Sequence, residues 1–301
     1  MTLVIGATGI LGSEICRLLT AEGKTVKAMV RETSDQSKVN NLKKLGVDIV
    51  YGDLRKISSF SLALQGVTEV ISTASAMPFS YKPEENDIEN VDMNGMIQFI
   101  DTCKSTGVKH FIYTSFSGNI DLDFPLKNAK RTVEDHLKKT GINYTILRPS
   151  CFMEAWLSEA VGFDFHHFKA QLSGLGDQPV SYISCFDVAR FALESLTNPA
   201  ANNATLELGG PEKLSQLDVV KIFEEVTGHK FEIQSTPVKT LKDNLRSSEN
   251  NMEKSFAGLM LCLAKGDPIE MEYTLESFPI KLTTVREYAE KVEAGLLAGM
   301  S

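Results

Sequence analysis

The sequence lacks two features that would assign it to other classes of protein. It has no apolar run close to the roughly 18 residues that a membrane-spanning helix requires, so no membrane partner is expected. Its five cysteines are scattered without a Cys-x-x-Cys pair, which predicts neither a disulfide framework nor a metal site. Free thiols in apolar surroundings behave as small hydrophobic side chains.

An excess of basic residues is also missing. Lysine and arginine together number 31, against 39 aspartate and glutamate residues, which gives a formal net charge of −8. This balance argues against a protein that binds nucleic acid through the phosphate backbone. The amino terminus carries neither a basic lead nor an apolar secretory segment with a cleavage site, so a cytoplasmic protein is expected.

Three evenly spaced glycines follow the first apolar run of the chain. Residues 3–5 lead into Gly6, Gly9 and Gly12, and an amphipathic helical pattern begins at Ser13. Such a turn lets backbone N–H groups approach a pyrophosphate, which the positive end of the helix dipole also attracts. The spacing differs from the commonest fingerprint, Gly-x-Gly-x-x-Gly, and an ordinary strand–turn–helix is the alternative. The residues expected to bind the cofactor here are Gly6, Thr8, Gly9, Ile10, Leu11 and Gly12.

Short apolar segments alternate with amphipathic helical segments through the first half of the chain. The predicted strands are residues 3–5, 26–30, 48–51, 69–72, 110–114 and 144–147. The predicted helices are residues 13–22, 36–45, 58–64, 90–106 and 129–139. They end at glycines suited to a left-handed helix terminus, namely Gly23, Gly46, Gly66, Gly107 and Gly141. This alternation predicts an α/β fold with a doubly wound parallel sheet of the Rossmann type.

The regular alternation ends after Pro149. Residues 150–181 are rich in aromatic side chains and are predicted to be irregular structure around a pocket. The elements predicted beyond them are strands at 181–184, 205–208 and 231–234, and helices at 187–196, 215–226, 238–246, 250–264 and 284–297. Asp187 and Ser215 are the expected helix N-caps.

This pattern predicts two parts of unequal size. A dinucleotide-binding domain is expected at residues 1–150, and a small α+β substrate-binding lobe at residues 151–301. About residues 187–210 are expected to pack back on the Rossmann sheet. The last 70 or so residues are too few and too irregular for an independent second sheet domain.

The residue after the second strand distinguishes the two nicotinamide cofactors. Arg31 follows that strand, and its guanidinium is suited to a 2′-phosphate, with Ser34 or Lys38 assisting. Glu32 is the rival, because a carboxylate at this position accepts a hydrogen bond from the ribose 2′-hydroxyl. NADP(H) is therefore expected, with NAD(H) as the alternative.

Three further strand ends are assigned to the same cofactor site. Asp53 and Leu54 follow the third strand, where a carboxylate can accept a hydrogen bond from the adenine amino group, or act only as a turn residue. The other expected contacts are Ser72, Thr73 and Ala74 after the fourth strand, and Pro149 and Phe152 after the sixth.

Together these motifs resemble the short-chain dehydrogenase/reductase superfamily, and more narrowly its atypical NmrA-like and isoflavone-reductase-like branch. The resemblance covers roughly residues 1–240 and implies a Rossmann fold that binds NADP(H). The matching segments are residues 6–12, 30–31, 52–54, 107–115, 144–149, 187–189 and 207–212, and Lys130 with Glu134.

One departure from that superfamily concerns the catalytic residues. The resemblance implies a Tyr-x-x-x-Lys pair, and Lys130 matches the lysine, but Leu126 stands where the tyrosine belongs. It also implies that Ser115 polarises a substrate carbonyl. The proton donor is then either Lys130, as the resemblance implies and if its pKa is lowered, or a bound water, and the alternative role of Lys130 is to bind the ribose only.

Several other polar or aromatic side chains have two interpretations. His166 and His167 are either proton donors or, as favoured here, residues of the surface or pocket wall, and without a suitably spaced third ligand they predict no metal site. Tyr81, Trp156 and Tyr182 either line a substrate cavity or, as favoured here, pack in the interior.

Two functions follow from these observations. The first is an NADPH-dependent reductase of a small organic carbonyl, quinone or conjugated double bond, with Lys130 and Ser115 orienting or protonating the substrate. The second is a non-catalytic redox sensor that binds NADP(H) and acts on a partner protein, which the missing tyrosine favours. A nucleotide-sugar epimerase ranks below both, and the chain is expected to be a monomer or a homodimer.

Overall fold

A computed structural model describes residues 1–77 and 87–296. They form two compact units, each built from several segments of the chain. The first unit comprises residues 1–115, 128–148 and 188–206, and the second comprises residues 116–127, 149–187 and the described residues from 207 onward. Residues 116–127, which lie inside the predicted dinucleotide-binding domain, thus belong to the second unit.

A seven-stranded sheet dominates the first unit, with strand order β3-β2-β1-β4-β5-β6-β9. Its strands are β1 (Thr2–Ile5), β2 (Val26–Val30), β3 (Asp48–Tyr51), β4 (Glu69–Ser72), β5 (His110–Thr114), β6 (Asn143–Pro149) and β9 (Ala204–Leu208). From β3 to β6 every neighbouring pair is parallel, so the carboxyl ends of these strands meet at one edge. The predicted Rossmann-type sheet is confirmed.

Helices alternate with these strands as predicted. Those before β6 are α1 (Ile10–Ala21), α2 (Gln36–Lys44), α3 (Phe60–Ala63), α4 (Met96–Thr106) and α5 (Pro125–Lys139). The glycines predicted to end them, Gly23, Gly46, Gly66, Gly107 and Gly141, all have positive φ angles. A π-helix, Ile88–Gly95, runs directly into α4, where the sequence pattern predicted α-helix from residue 90.

The core of the first unit lies on the sheet. Leu3, Val70 and Phe111 on the central strands are fully buried, and Phe99 of α4 packs in the same apolar cluster. Phe99 also meets Phe60 edge to face, with ring centroids 5.0 Å apart. This packing fixes the strands whose ends carry the predicted site residues.

The second unit contains a sheet that the sequence analysis did not predict. Its strands, in the order β10-β8-β7, are β7 (Phe163–Asp164), β8 (Lys169–Ser173) and β10 (Glu232–Thr236). The expectation that residues 150–181 are irregular is therefore wrong, whereas β10 corresponds to the strand predicted at residues 231–234. The predicted strand at residues 181–184 is also wrong, because Val180 and Ile183 form only isolated bridges.

The remaining helices are α6 (Met153–Trp156), α7 (Cys185–Glu194), α8 (Gln216–Thr227), α9 (Val238–Ser247), α10 (Asn251–Lys265), α11 (Glu272–Ser277) and α12 (Val285–Glu293). Ser215 caps α8 through a reciprocal capping box with Asp218, as its predicted N-cap role requires. Asp187 is not an N-cap, because α7 begins two residues earlier, and its carboxylate accepts hydrogen bonds from Thr283.

Aromatic side chains fill the core of the second unit. Phe163 meets Phe223 edge to face at 4.8 Å, and Phe231 joins the same cluster. All five cysteines are buried and free, in agreement with the predicted absence of disulfides. Within residues 1–77 and 87–296, no helix is both long and apolar enough to cross a membrane.

Candidate active site

The glycine turn (residues 6–12) is closed tightly at the end of β1. Gly6 has a φ of +81°, and a Cβ there would lie 2.6 Å from the Thr73 hydroxyl oxygen. A Cβ on Gly12 would lie only 2.3 Å from the Gly6 carbonyl oxygen. Helix α1 begins at Ile10, and no described side chain caps its amino end. The turn therefore fits a diphosphate, which needs close approach to backbone amides at a helix dipole.

Thr73 connects the glycine turn to the end of β4. Its hydroxyl donates to the carbonyl oxygen of Ile5 at 3.1 Å, and its backbone N–H donates to the same oxygen at 2.9 Å. Ser72, by contrast, is fully buried, with its hydroxyl 3.7 Å from the Met96 sulfur. The Leu11 side chain is buried in the core as well. Leu11 and Ser72 can therefore face the glycine turn with their backbone atoms and not with their side chains.

Arg31 and Asp53 lie near one another beyond the ends of β2 and β3. Arg31 and Ser34 form a tight turn, in which the Arg31 N–H donates to the Ser34 hydroxyl at 3.1 Å. Burial pushes the pKa of Asp53 up, but hydrogen bonds from Arg55 and the charge of Arg31 hold it below its usual value. Glu32, the rival of Arg31 in the cofactor assignment, is exposed.

Arg55 is a residue of this region that the sequence analysis missed. Two nitrogens of its guanidinium donate hydrogen bonds to the Asp53 carboxylate, and the shortest of these contacts is 2.6 Å. Leu54, between them, is buried. The Asp-x-Arg spacing is a signal for this pair, because a carboxylate and a guanidinium two residues apart in a turn can form a local ion pair.

Lys130 lies in the interior of the first unit, on α5, with only 3% of its surface exposed. Its ammonium donates to the carbonyl oxygens of Ala74 at 3.3 Å and Thr114 at 3.2 Å. The Tyr113 ring centroid lies 5.1 Å from the same nitrogen. The carbonyls come from the residues that follow β4 and from the end of β5, so Lys130 joins two neighbouring strand ends.

Asp92, on the π-helix, is the anionic partner of Lys130 and was not predicted. The Asp92 Oδ1 atom lies 3.6 Å from the Lys130 nitrogen, and Oδ2 accepts the Ala76 N–H at 2.8 Å. Burial lowers the pKa of Lys130, and the charge of Asp92 opposes that shift. Burial likewise raises the pKa of Asp92, which the charge of Lys130 opposes.

Ser115 is placed in a second buried charge network. Its hydroxyl donates to Glu134 Oε1 at 2.5 Å, and Arg131 donates to the Ser115 oxygen at 3.3 Å. Arg131 and Arg148 both form ion pairs with Glu134. Burial pushes the pKa of Glu134 up, but the hydrogen bonds from Arg148 and Ser115 and the charges of the two arginines bring it below its usual value. In this arrangement the Ser115 proton is directed to Glu134.

Leu126, four residues before Lys130 on α5, carries no hydroxyl. Its side chain is buried, and its backbone N–H donates to the Ser255 hydroxyl at 3.1 Å. Pro149 and Phe152 belong to the second unit. The Pro149 carbonyl accepts the Ser117 N–H at 3.0 Å, and half-buried Phe152 forms an isolated bridge with Ile183.

A small apolar cavity of about 20 Å³ lies within the second unit, which is room for about one water molecule. Trp156 and Tyr182, both considered as cavity residues, line it. The rest of its lining is formed by Leu157, Val161, Phe163, Gln171, Leu172, Gln216, Val219, Met260 and Leu263. Tyr81, the third candidate, lies outside the described residues.

His166 and His167 are both exposed on the second unit. The His167 Nδ1 atom lies 2.8 Å from Asp164 Oδ2, and the ligand atoms of Glu159, Asp164 and His167 all lie within 4.8 Å of one another. The structure thus places two carboxylates near His167, whereas the sequence showed no further metal ligand at a suitable spacing from the two histidines. Asp164 already accepts two hydrogen bonds from His167, which accounts for their contact without an ion.

The model of the NmrA-like family matches residues 1–289. The chain belongs to the NmrA-like family. The resemblance drawn from the motifs is therefore confirmed, and the family match extends beyond residue 240 to residue 289.

Named relatives of this NmrA-like protein include both enzymes and assembly factors. It is 29% identical to the NAD(P)H azoreductase of Xenophilus azovorans over 300 residues, which cover 98% of this chain and 97% of that one. It is also 29% identical to the photosystem II assembly factor Ycf39 of Trieres chinensis over 242 residues, 80% of this chain and 73% of the relative.

The fold is shared with solved NADPH-dependent enzymes. The Escherichia coli quinone oxidoreductase QOR2, solved with NADPH, superposes with a TM-score of 0.78 over 97% of this NmrA-like chain and 100% of its own, at 21% identity. A triphenylmethane reductase of Citrobacter sp. with NADP(H) gives a TM-score of 0.77 at 21% identity, over 97% of this chain and 99% of its own. At such identities the likeness establishes the fold.

Proposed function

We propose that this protein is an NADPH-dependent reductase of a small organic substrate such as a quinone, an enone or a carbonyl compound. The observation that carries the proposal is the glycine turn at the start of α1. A Cβ on Gly12 would lie 2.3 Å from the Gly6 carbonyl oxygen, and no described side chain caps the amino end of that helix. Nearly full-length similarity to an NAD(P)H azoreductase supports the same chemistry. The cytoplasmic location and the monomeric or homodimeric state stay predictions.

Each part of the cofactor has residues suited to hold it. The amides of the glycine turn bind the diphosphate, Arg31 binds the 2′-phosphate, and the Lys130 ammonium binds the nicotinamide ribose. Leu54, Thr73 and Ala74 border the same strand ends, and Pro149 and Phe152 are proposed to contact the nicotinamide side. When bound, NADPH supplies a hydride to the substrate.

Lys130 is assigned to binding and not to proton donation. Its ammonium already donates to the Ala74 and Thr114 carbonyls and faces the Asp92 carboxylate at 3.6 Å. Ser115 directs its proton to Glu134, and Leu126 carries no hydroxyl. Solvent is therefore the proposed proton source, and this suits acceptors whose reduced form is a stabilised anion, quinones above all.

The choice of cofactor is tested by Arg31→Ala. Loss of a charge-assisted contact of about 1.5–3 kcal/mol should weaken NADPH binding roughly 10- to 100-fold and leave NADH binding unchanged. Titrations of both cofactors measure this, and Lys43→Ala, which removes an exposed charge from neighbouring α2, is the matched control. An unchanged preference for NADPH would remove Arg31 from the binding site.

Turnover is tested by following NADPH oxidation in the presence of quinones, enals and ketones. The proposal expects oxidation with at least one acceptor, fastest with quinones, and none with Gly12→Ala. The contrary result is tight NADPH binding without oxidation by any acceptor of the panel.

A second candidate is a non-catalytic NADP(H)-binding redox sensor that acts on a partner protein. The buried Leu126 at the tyrosine position favours it, and so does the similarity to proteins named as photosystem II assembly factors. Binding of NADPH without turnover, together with a co-purifying protein that leaves when NADPH is added, would favour the sensor over the reductase.

A further inference from the structure

We propose that Asp92 is a positioning residue, which holds the Lys130 ammonium charged and in place for the cofactor ribose. The inference rests on the proposed NADP(H) binding and adds a residue to it. Asp92 belongs to the π-helix, 38 residues before Lys130 in the sequence, and none of the motifs in the sequence includes it.

Asp92 is buried and contacts both Ala76 and Lys130. Only 1% of its surface is exposed, and its Oδ2 atom is occupied by the Ala76 N–H at 2.8 Å. Its Oδ1 atom accepts no hydrogen bond from the part of the chain that the structure describes. That oxygen lies 3.6 Å from the Lys130 nitrogen, so the carboxylate atom that Ala76 does not occupy faces a buried cation.

Asp92 and Lys130 hold the same loop from two sides. Asp92 binds the N–H of Ala76, and Lys130 binds the carbonyl of Ala74, two residues earlier. This loop follows β4 and contains Thr73, which packs against Gly6. Displacement of the ammonium is therefore expected to disturb the loop that borders the glycine turn.

The π-helix itself is fixed near the cofactor site. A Cβ on Gly95 would lie 2.4 Å from the Leu54 carbonyl oxygen, so the helix approaches the strand end after β3 at backbone distance. The wider turn of a π-helix redirects side chains, and such turns occur often at functional sites. Asp92 is thereby held inward, although its neighbours Asn90 and Glu89 are exposed.

Charged and titratable groups act on Lys130 from more than one packed element. Asp92 faces it from the π-helix, the buried Tyr113 ring from β5, and Glu134 acts on it more weakly from α5. Glu134 is already neutralised by two arginines. Asp92 is therefore the main group that keeps Lys130 protonated against the cost of burial, and its loss should let the ammonium lose its proton at a lower pH.

The experiment measures NADP⁺ affinity of the full chain from pH 6 to 10 for wild type, Asp92→Asn and the control Glu89→Gln. Asparagine keeps an acceptor for the Ala76 N–H and replaces the oxygen that faces Lys130 by an uncharged NH2 group. Glu89→Gln removes an equal charge from the same π-helix at an exposed position. NADP⁺ affinity should fall at alkaline pH as Lys130 loses its proton. We expect this fall to occur about one to three pH units lower in Asp92→Asn than in wild type, because an opposite charge within 6 Å shifts a pKa by that amount.

The same change is then made beside Lys130→Met, and unfolding by denaturant is recorded for all variants. Asp92→Asn should have no further effect on NADP⁺ affinity in that background. The double variant should also be more stable than Lys130→Met alone, because the single change leaves a buried carboxylate without its cation. This measurement holds even if Asp92→Asn alone folds poorly.

The outcomes separate the two proposals. A pH profile of Asp92→Asn that coincides with wild type, or an equal loss of affinity with and without Lys130, overturns the role of Asp92 while NADP(H) binding stands. A wild-type chain that binds no NADP⁺ overturns both proposals.

Discussion

Carboxylates that are buried or partly buried are held differently in the two units. In the first unit, Glu134 is paired with Arg131 and Arg148, and Asp92 is paired with Lys130. In the second unit, Glu154 accepts hydrogen bonds from the Ser184 hydroxyl and the Cys185 N–H. Asp267, in the same unit, accepts them from the Ser117 hydroxyl and the Asn119 side chain.

The difference determines which protonation state each site favours. Burial pushes the pKa of Glu134 up, but its arginines and Ser115 bring it below the usual value. Burial raises the pKa of Glu154, and its neutral donors only partly offset this. Two arginines thus hold the pKa of Glu134 below its usual value, whereas the pKa of Glu154, which has only neutral donors, stays raised, as does that of Asp92 with its single cation.

The largest change in the free energy of unfolding is expected from Glu134→Gln, in the first unit. It leaves Arg131 and Arg148 without their shared carboxylate, at a cost of about 2 kcal/mol at pH 7, because both arginines are partly exposed. Since the folded pKa of Glu134 lies below that of the unfolded chain, its contribution is present above about pH 4.5 and is lost as the pH falls through the folded value. Denaturant unfolding from pH 3 to 7 measures both effects.

Asp135→Asn is the matched control for this variant, because it removes an exposed carboxylate from the next position of α5. It should change the free energy of unfolding by less than about 0.5 kcal/mol. If Glu134→Gln is as stable as this control at pH 7, the ion pairs of Glu134 with Arg131 and Arg148 do not stabilise the fold.

A smaller effect on stability, with the opposite pH dependence, is expected from Glu154→Gln. The amide can accept from the Cys185 N–H and donate to the Ser184 oxygen, so the loss should stay below about 1 kcal/mol. Since the folded pKa of Glu154 is raised, wild-type stability falls as the pH rises from about 4.5 through the folded value. Glutamine imitates the protonated acid, so the variant should gain relative to wild type over that window.

Unfolding measured from pH 4 to 8 checks this trend, with the exposed Glu276→Gln as the control in the same unit. A relative loss that grows with pH would show that Glu154 is held as a carboxylate, and the contrast between the two units would then disappear.

Much of the first unit could be predicted from the sequence, because its structure follows from local patterns. The strands at residues 26–30, 48–51, 69–72 and 110–114 have the predicted bounds. Strands that are apolar on both faces and alternate with helices leave few topologies open. The glycine turn, Arg31 and Lys130 could be proposed as site residues for the same reason, since each lies on or next to an element that its local sequence defines.

The unpredicted features depend on contacts between distant segments. β8 pairs with β10, about 60 residues later in the chain, and β7 has only two residues, too few for a periodic pattern. Asp92 stands in a helical stretch where a carboxylate ordinarily faces solvent, and only its pairing with Lys130 explains its burial. The Ser115 hydroxyl is likewise directed by Glu134, a partner 19 residues away.

The most direct test of the account is a calorimetric titration of the full chain with NADPH, with Gly12→Ala alongside. Wild type should bind with a dissociation constant of about 10 μM or tighter. The alanine variant, whose added methyl meets the Gly6 carbonyl, should bind at least about 100-fold more weakly while circular dichroism shows the same fold. Absence of binding by wild type to both NADPH and NADH, or equal binding by the two proteins, would contradict the account.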